Sequence, residues 1–147
     1  MAEHMDEPQL LSRHEDGIPF AMALWRLRSP MLALSSAPYG GGWGMRRWVL
    51  AAQVAPGYSR SDPAGHLAGL ARELDLDGPG IGMLTAVDVR AVRTSPEDGV
   101  VAAATVGITH PAWAAAADEP AGVAGTVNIV AVVSRRLSRA ALVNAVM

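Results

Sequence analysis

Apolar residues in this chain gather in short runs broken by Gly, Pro and Arg, and the period of each run predicts its element. Residues 20–27 read as a first strand and 31–36 as a second, joined by a turn at Arg28-Ser29-Pro30. The stretch 38–44 holds four glycines and is expected as a loop, because glycine favours no regular element. A third strand follows at 48–54. The clearest helix signal is Asp62-Pro63, since Asp caps a helix and Pro is pre-set for its first position. Leu67, Leu70, Ala71 and Leu74 then recur at helical spacing until Gly78-Pro79 stops the element.

Strands are predicted at 80–87 and 100–109, separated by a turn at 95–99. An Ala- and Pro-rich connection with room for a short helix spans 111–122. A strand at 125–133 follows, and Ser138 caps a final helix over 139–147. Residues 1–12 read as a polar, poorly ordered lead-in. Strands first, with a few helices between and after, predict an α+β fold. The expectation is one domain over 13–147, a mostly antiparallel or mixed sheet with helices packed on it. A chain of 147 residues buries roughly 68–70% of its unfolded surface without staples. The last helix leaves Leu142, Val143 and Val146 in need of a partner, so the domain is expected to be truncated at its C-terminus.

Three of the apolar strands accept polar residues: Thr85 and Asp88, Thr105 and Thr109, Thr126 and Asn128. A buried hydroxyl or amide without a partner costs about 1–3 kcal/mol. Three such strands point to a polar cluster built on a sheet, and so to a site. Asn128 shares a strand face with Thr126 and Val130; its amide either serves an oxyanion or substrate carbonyl, or bonds a neighbouring loop. Asp88 is a general base, a group that orients a histidine, or the cap of a turn. Thr105 shares a face with Thr109, and His110, a natural acid/base by residue type, ends that strand. Tyr39, Gly41, Gly42 and Trp43 form a flat loop suited to a broad, partly apolar ligand, with Trp113 as a further wall or a core residue. Ser36, at the strand boundary before that loop, is a nucleophile without a G-x-S-x-G elbow, a substrate contact or a turn cap. His66, in the first turn of the helix, is structural or functional.

Composition removes several chemistries. No cysteine means no disulfide, no thiolate nucleophile and no Cys-based zinc site. All 12 basic residues are arginine, so there is no Schiff-base or Walker lysine. The four histidines show no HExxH spacing, so no metal or other cofactor is expected, with an assembled His66, His110 and Asp88 cluster left open. The net charge of −2 implies neither nucleic acid nor an anionic membrane as partner. No apolar run reaches the ~18–20 residues of a membrane span, and the acidic N-terminus is no signal peptide. A soluble, cytoplasmic protein is expected, with a homo-oligomer allowed.

The order and spacing of these segments resemble the adenosylcobinamide amidohydrolases, the CbiZ family. The resemblance is carried by Leu34-Ser-Ser-Ala37, Trp48-Val-Leu-Ala-Ala-Gln-Val54, Asp62-Pro63 with His66-Leu67, and Gly82-Met-Leu-Thr-Ala-Val-Asp88. It continues through Ala104-Thr-Val-Gly-Ile-Thr-His-Pro111 with Trp113, and Gly125-Thr-Val-Asn-Ile-Val130, and covers roughly 14–147. It implies hydrolysis of the amide that joins an aminopropanol arm to the corrin ring, giving adenosylcobyric acid for coenzyme B12 salvage. The family continues past this point with a Thr-Ala-Thr-Glu-Ala-Lys-type helix, which leaves the activity of this chain open. The alternatives are a non-catalytic corrinoid- or tetrapyrrole-binding module and an amidohydrolase acting on another small amide.

Overall fold

The computed structural model describes residues 4–108 and 125–146. Its strands are β1 (Gln9–Glu15), β2 (Ile18–Ser35), β3 (Gly42–Gln53), β4 (Gly80–Thr85), β5 (Arg93–Glu97), β6 (Val100–Gly107) and β7 (Thr126–Val133). Helix α1 (Pro63–Glu73) lies between β3 and β4, a 3₁₀ turn (Val89–Ala91) follows β4, and α2 (Arg139–Val146) closes the chain. The α+β class read from the sequence is the class observed, with the strands divided over two sheets. One sheet runs β1-β2-β3-β4 and the other β5-β6-β7. All pairs are antiparallel except β3 with β4, which α1 connects as a parallel crossover.

The four-stranded sheet is covered on both faces, which explains why its strands read as nearly continuous apolar runs. Met22, Leu24, Trp48, Leu50 and Ala52 pack under Leu67, Leu70 and Ala71 of α1. On the other face Ala23, Trp25, Val49, Ala51 and Met83 meet Val101, Ala103 and Val132 of the second sheet. Helix α1 begins as its sequence dictates: the Asp62 carboxylate accepts from the Gly65 amide at 2.8 Å, with Pro63 in the first turn.

Several local expectations are corrected. Residues 9–12 belong to β1 rather than to a lead-in, and Met5 is buried in the core. The hairpin Asp16-Gly17 has φ of 50° and 78°, the primed-turn geometry that Asp-Gly supplies. Residues 28–30 do not separate two strands. They form an irregularity in the single long β2, where the register shifts between Arg26 and Met31 and Pro30 escapes the ladder. Gly42, Trp43 and Gly44 are strand, paired with Ser35, Leu34 and Ala33, so cross-strand pairing outweighs glycine's freedom. Ser95 to Glu97 are strand as well, leaving Asp98-Gly99 as the turn. Expectations placed on 109–124, including His110 and Trp113, lie outside the described residues.

Gly40 sits at φ 71°, and a Cβ there would collide with the Gly80 carbonyl oxygen; Gly17, at φ 78°, has open space around it. Gly17→Ala is expected to cost about 1 kcal/mol from left-handed backbone alone. Gly40→Ala is expected to cost at least about 2 kcal/mol, because the loop must also move off β4. Urea unfolding of both variants separates the two effects, and equal losses would contradict this packing of loop on strand.

Candidate active site

Parallel pairing gives β3 and β4 a common carboxyl end, the edge where open α/β sheets place their ligands. Thr85 closes β4 there, only 2% exposed, and faces the second sheet. Its hydroxyl accepts from the Val87 amide at 3.1 Å, and its carbonyl accepts from the Val54 amide at 2.8 Å. Asn128 on β7 reaches the free edge of β4, where its Nδ2 donates to the Leu84 carbonyl at 3.1 Å. Directly across the ladder from Asn128 lies Thr105, 3% exposed, whose hydroxyl has no hydrogen-bond partner among the described residues. A Cβ on Gly107 would strike the Val87 side chain, so β6 is held close to the turn after β4. The fold thus gathers Thr85, Thr105 and Asn128 where the two sheets meet.

Asp88 is close by but committed. Its carboxylate caps the 3₁₀ turn through the Arg90 amide (3.0 Å) and takes Nε (2.9 Å) and a terminal nitrogen (2.6 Å) of the Arg90 guanidinium. Those hydrogen bonds hold its carboxyl below the usual aspartate range. The glycine loop divides. Tyr39 bridges to Gly82, two residues before Leu84 on the same strand edge, and its ring stacks on Trp48 at 5.7 Å. Gly42 and Trp43 instead open the amino end of β3, next to Gly41 and Ser36. That end lies roughly 36 Å along the strand from Gln53. The Trp43 ring there lies under the Arg139 guanidinium of α2, 5.6 Å away.

A second polar cluster, of which the sequence signals only His66, sits at the same carboxyl end on the α1 side. His66 is held at both nitrogens: Nε2 lies 2.8 Å from the Glu15 carboxylate and Nδ1 lies 3.0 Å from the Tyr58 hydroxyl. The His66 side chain is 6% exposed. Arg13 donates from Nε to Glu15 at 2.9 Å and from a terminal nitrogen to the Gln53 carbonyl at 2.8 Å. Arg60 reaches the other Glu15 oxygen at 3.3 Å. Burial pushes the Glu15 carboxyl up, but the hydrogen bonds from Arg13 and His66 outweigh it and hold it below the usual range. Desolvation pushes the Tyr58 phenol up. Glu15 and His66 are far apart in the chain, so only the pairing of β1 with β2 and the placement of α1 unite them. The one local hint is a histidine beside Leu67 in the first turn of an amphipathic helix.

Gln53 links the clusters. Its carbonyl serves Arg13, and it pairs in register with Thr85. It also lines an open cavity of about 330 Å³ with Leu10, Ser12, Pro19, Ala21 and Arg90. Among the described residues no three His, Asp or Glu side chains are placed to hold a metal. His66 and Asp88 are engaged with Glu15 and Arg90 respectively.

An α+β domain with polar side chains gathered at the carboxyl end of a parallel pair has the layout of a small-molecule binding or catalytic domain. The profile of the adenosylcobinamide amidohydrolase (CbiZ) family matches residues 7–147, and the chain belongs to that family. No curated protein and no solved structure matches the chain.

Two measurements check this geometry. Thr105→Val replaces an unpartnered buried hydroxyl by a methyl group, so its unfolding free energy is expected to be unchanged or about 1 kcal/mol higher. A loss above about 1 kcal/mol would mean that the hydroxyl has a partner. Glu15 carries the pH dependence. A carboxylate held low in the folded state stabilises above its unfolded value, near 4.5, and that contribution disappears as pH falls through the folded value. Thermal unfolding of the wild type is therefore expected to drop more steeply than that of Glu15→Gln between about pH 5 and about pH 3. Parallel curves would contradict the Glu15 network.

Proposed function

We propose that this protein hydrolyses the aminopropanol amide of adenosylcobinamide, releasing adenosylcobyric acid and 1-aminopropan-2-ol. The family match over 7–147 carries this reading. The cavity at Gln53 supports it by size: at about 330 Å³ it stands at the small end of ligand pockets. It suits an amide-bearing arm, with the macrocycle left outside. In this reading the protein works in the cytoplasm on a soluble corrinoid. Among the described residues no helix is long and apolar enough to cross a membrane.

An unactivated amide needs donors for the oxyanion that forms when its carbonyl is attacked. Thr85 uses its hydroxyl oxygen as an acceptor from Val87, which leaves its own proton to donate. Asn128 commits one of its two amide protons to Leu84 and keeps the other. We assign these two groups to the amide oxygen. Thr105 backs Asn128 across the ladder, and Asp88 fixes Arg90 at the cavity rim. Tyr39 bridges to the same edge of β4, which supports giving the ligand contact of the glycine loop to it.

Incubation with adenosylcobinamide and mass spectrometry of the products is the direct test: adenosylcobyric acid and aminopropanol should appear in equal amounts. Corrinoid binding without product would select a binding module, and cleavage of a different amide would select another amidohydrolase. Asn128→Ala is expected to lower kcat by about 10²-fold and to lower stability by about 1 kcal/mol. Unchanged turnover would remove Asn128 from the chemistry.

A further inference from the structure

Gln53 ends β3 on a rung that the ladder does not complete. The β2–β3 pairing stops at Met22 and Ala52, one residue short of Ala21 and Gln53. The Gln53 carbonyl accepts from Arg13 instead, at 2.8 Å, and the Ala21 amide donates to the Gln53 side-chain oxygen at 3.3 Å. A backbone N–H needs an acceptor, so this bond assigns Oε1 to the Ala21 side of the Gln53 amide. Nε2 is left with two protons to give, and neither has a partner among the described residues.

This nitrogen belongs to a side chain that lines the open cavity of about 330 Å³. Gln53 follows Ala51, and Thr85 follows Met83, at two-residue spacing, so both side chains stand on the face that Ala51 and Met83 turn to the second sheet. Parallel register sets them side by side, one strand spacing of about 4.8 Å apart. Satisfying Ala21 takes only the oxygen of Gln53; the two donors beside it are surplus to packing. The cavity repeats that bias toward donors. Arg90 spends Nε and one terminal nitrogen on Asp88 and keeps the other terminal nitrogen, and Ser12 adds a hydroxyl. Leu10, Pro19 and Ala21 supply an apolar wall.

We infer that Gln53 is a specificity-determining residue, whose Nε2 holds the oxygen on the second carbon of the aminopropanol arm while Thr85 and Asn128 hold the amide oxygen. The inference rests on the hydrolase reading above and names the feature of the arm that the site selects. In that arm the hydroxyl stands two carbons beyond the amide nitrogen, a reach that bridges neighbouring strands. An arm with an acceptor at that carbon gains a hydrogen bond from Gln53. A plain alkyl arm displaces water from Nε2 and gives nothing back, so it binds less tightly.

The test titrates the full ¹⁵N-labelled chain with two probes that carry no corrin. N-(2-oxopropyl)propanamide has a ketone oxygen that only accepts, and N-propylpropanamide lacks that oxygen. The side-chain NH₂ signal of Gln53, identified by its loss in Gln53→Glu, is the readout. It is expected to shift with the ketone probe, which should bind about tenfold more tightly than the alkyl probe. Gln53→Glu keeps an oxygen for Ala21, so its melting temperature should stay within a few degrees of wild type, but it has no protons to give and should bind both probes equally. A Gln53 signal that does not move with the ketone probe, or a preference that survives in folded Gln53→Glu, would overturn the assignment. Turnover of adenosylcobinamide by the wild type is measured beside it. A Gln53 shift without turnover would remove the hydrolase reading and leave an acceptor-selecting subsite, whereas turnover with a silent Gln53 would remove the subsite alone.

Discussion

The parallel ladder between β3 and β4 sets where both polar clusters lie, and it forms only because the backbones approach very closely. Gly80 lies against the face of Trp48, and a Cβ there would enter the indole ring. Trp48 in turn donates from Nε1 to the Gly78 carbonyl at 3.1 Å, which fixes the end of the crossover onto β3. With β4 seated in this way, its far edge is free to receive Tyr39 at Gly82 and Asn128 at Leu84. Without the ladder, Thr85 would not stand beside Gln53, and the second sheet would lose the edge that Asn128 grips.

The two clusters differ in kind. The side facing the second sheet holds neutral donors, Thr85 and Asn128, packed where water is scarce and hydrogen bonds are strong. The α1 side holds the charged and titratable groups, with one carboxylate shared by two arginines and a histidine. A chain whose cations are all arginine suits this arrangement, since guanidinium groups stay charged and bond carboxylates in fixed geometry. The same property makes Asp88 a poor base. Bound by Arg90, it shapes the turn after β4.

How much of this is legible in the sequence follows from how local each signal is. The polar interruptions at Thr85, Thr105 and Asn128 are visible because each breaks an apolar pattern that a plain core would keep. The start of α1 is visible because Asp62 and Pro63 act within one turn. The continuity of β2 is hidden, because Pro30 reads as a turn until β3 is seen to pair on both sides of it. Gly42 to Gly44 are hidden for the same reason, their strand being imposed by partners. Glu15 carries no signal in one dimension, and His66 shows only as a histidine in the first turn of a helix. Their contact exists only after the β1–β2 hairpin and the crossover helix are both in place.

In the proposed function the reacting arm of the substrate lies at the carboxyl end of β3 and β4. Hydrogen–deuterium exchange with and without adenosylcobinamide reads that position directly. The account predicts protection of the loop from Val54 to Asp62 and of the turn from Thr85 to Ala91, with little change in α2 or in the ribbon formed by residues 31–35 and 42–46. Protection confined to that ribbon and α2, with both carboxyl-end loops unaffected, would contradict it.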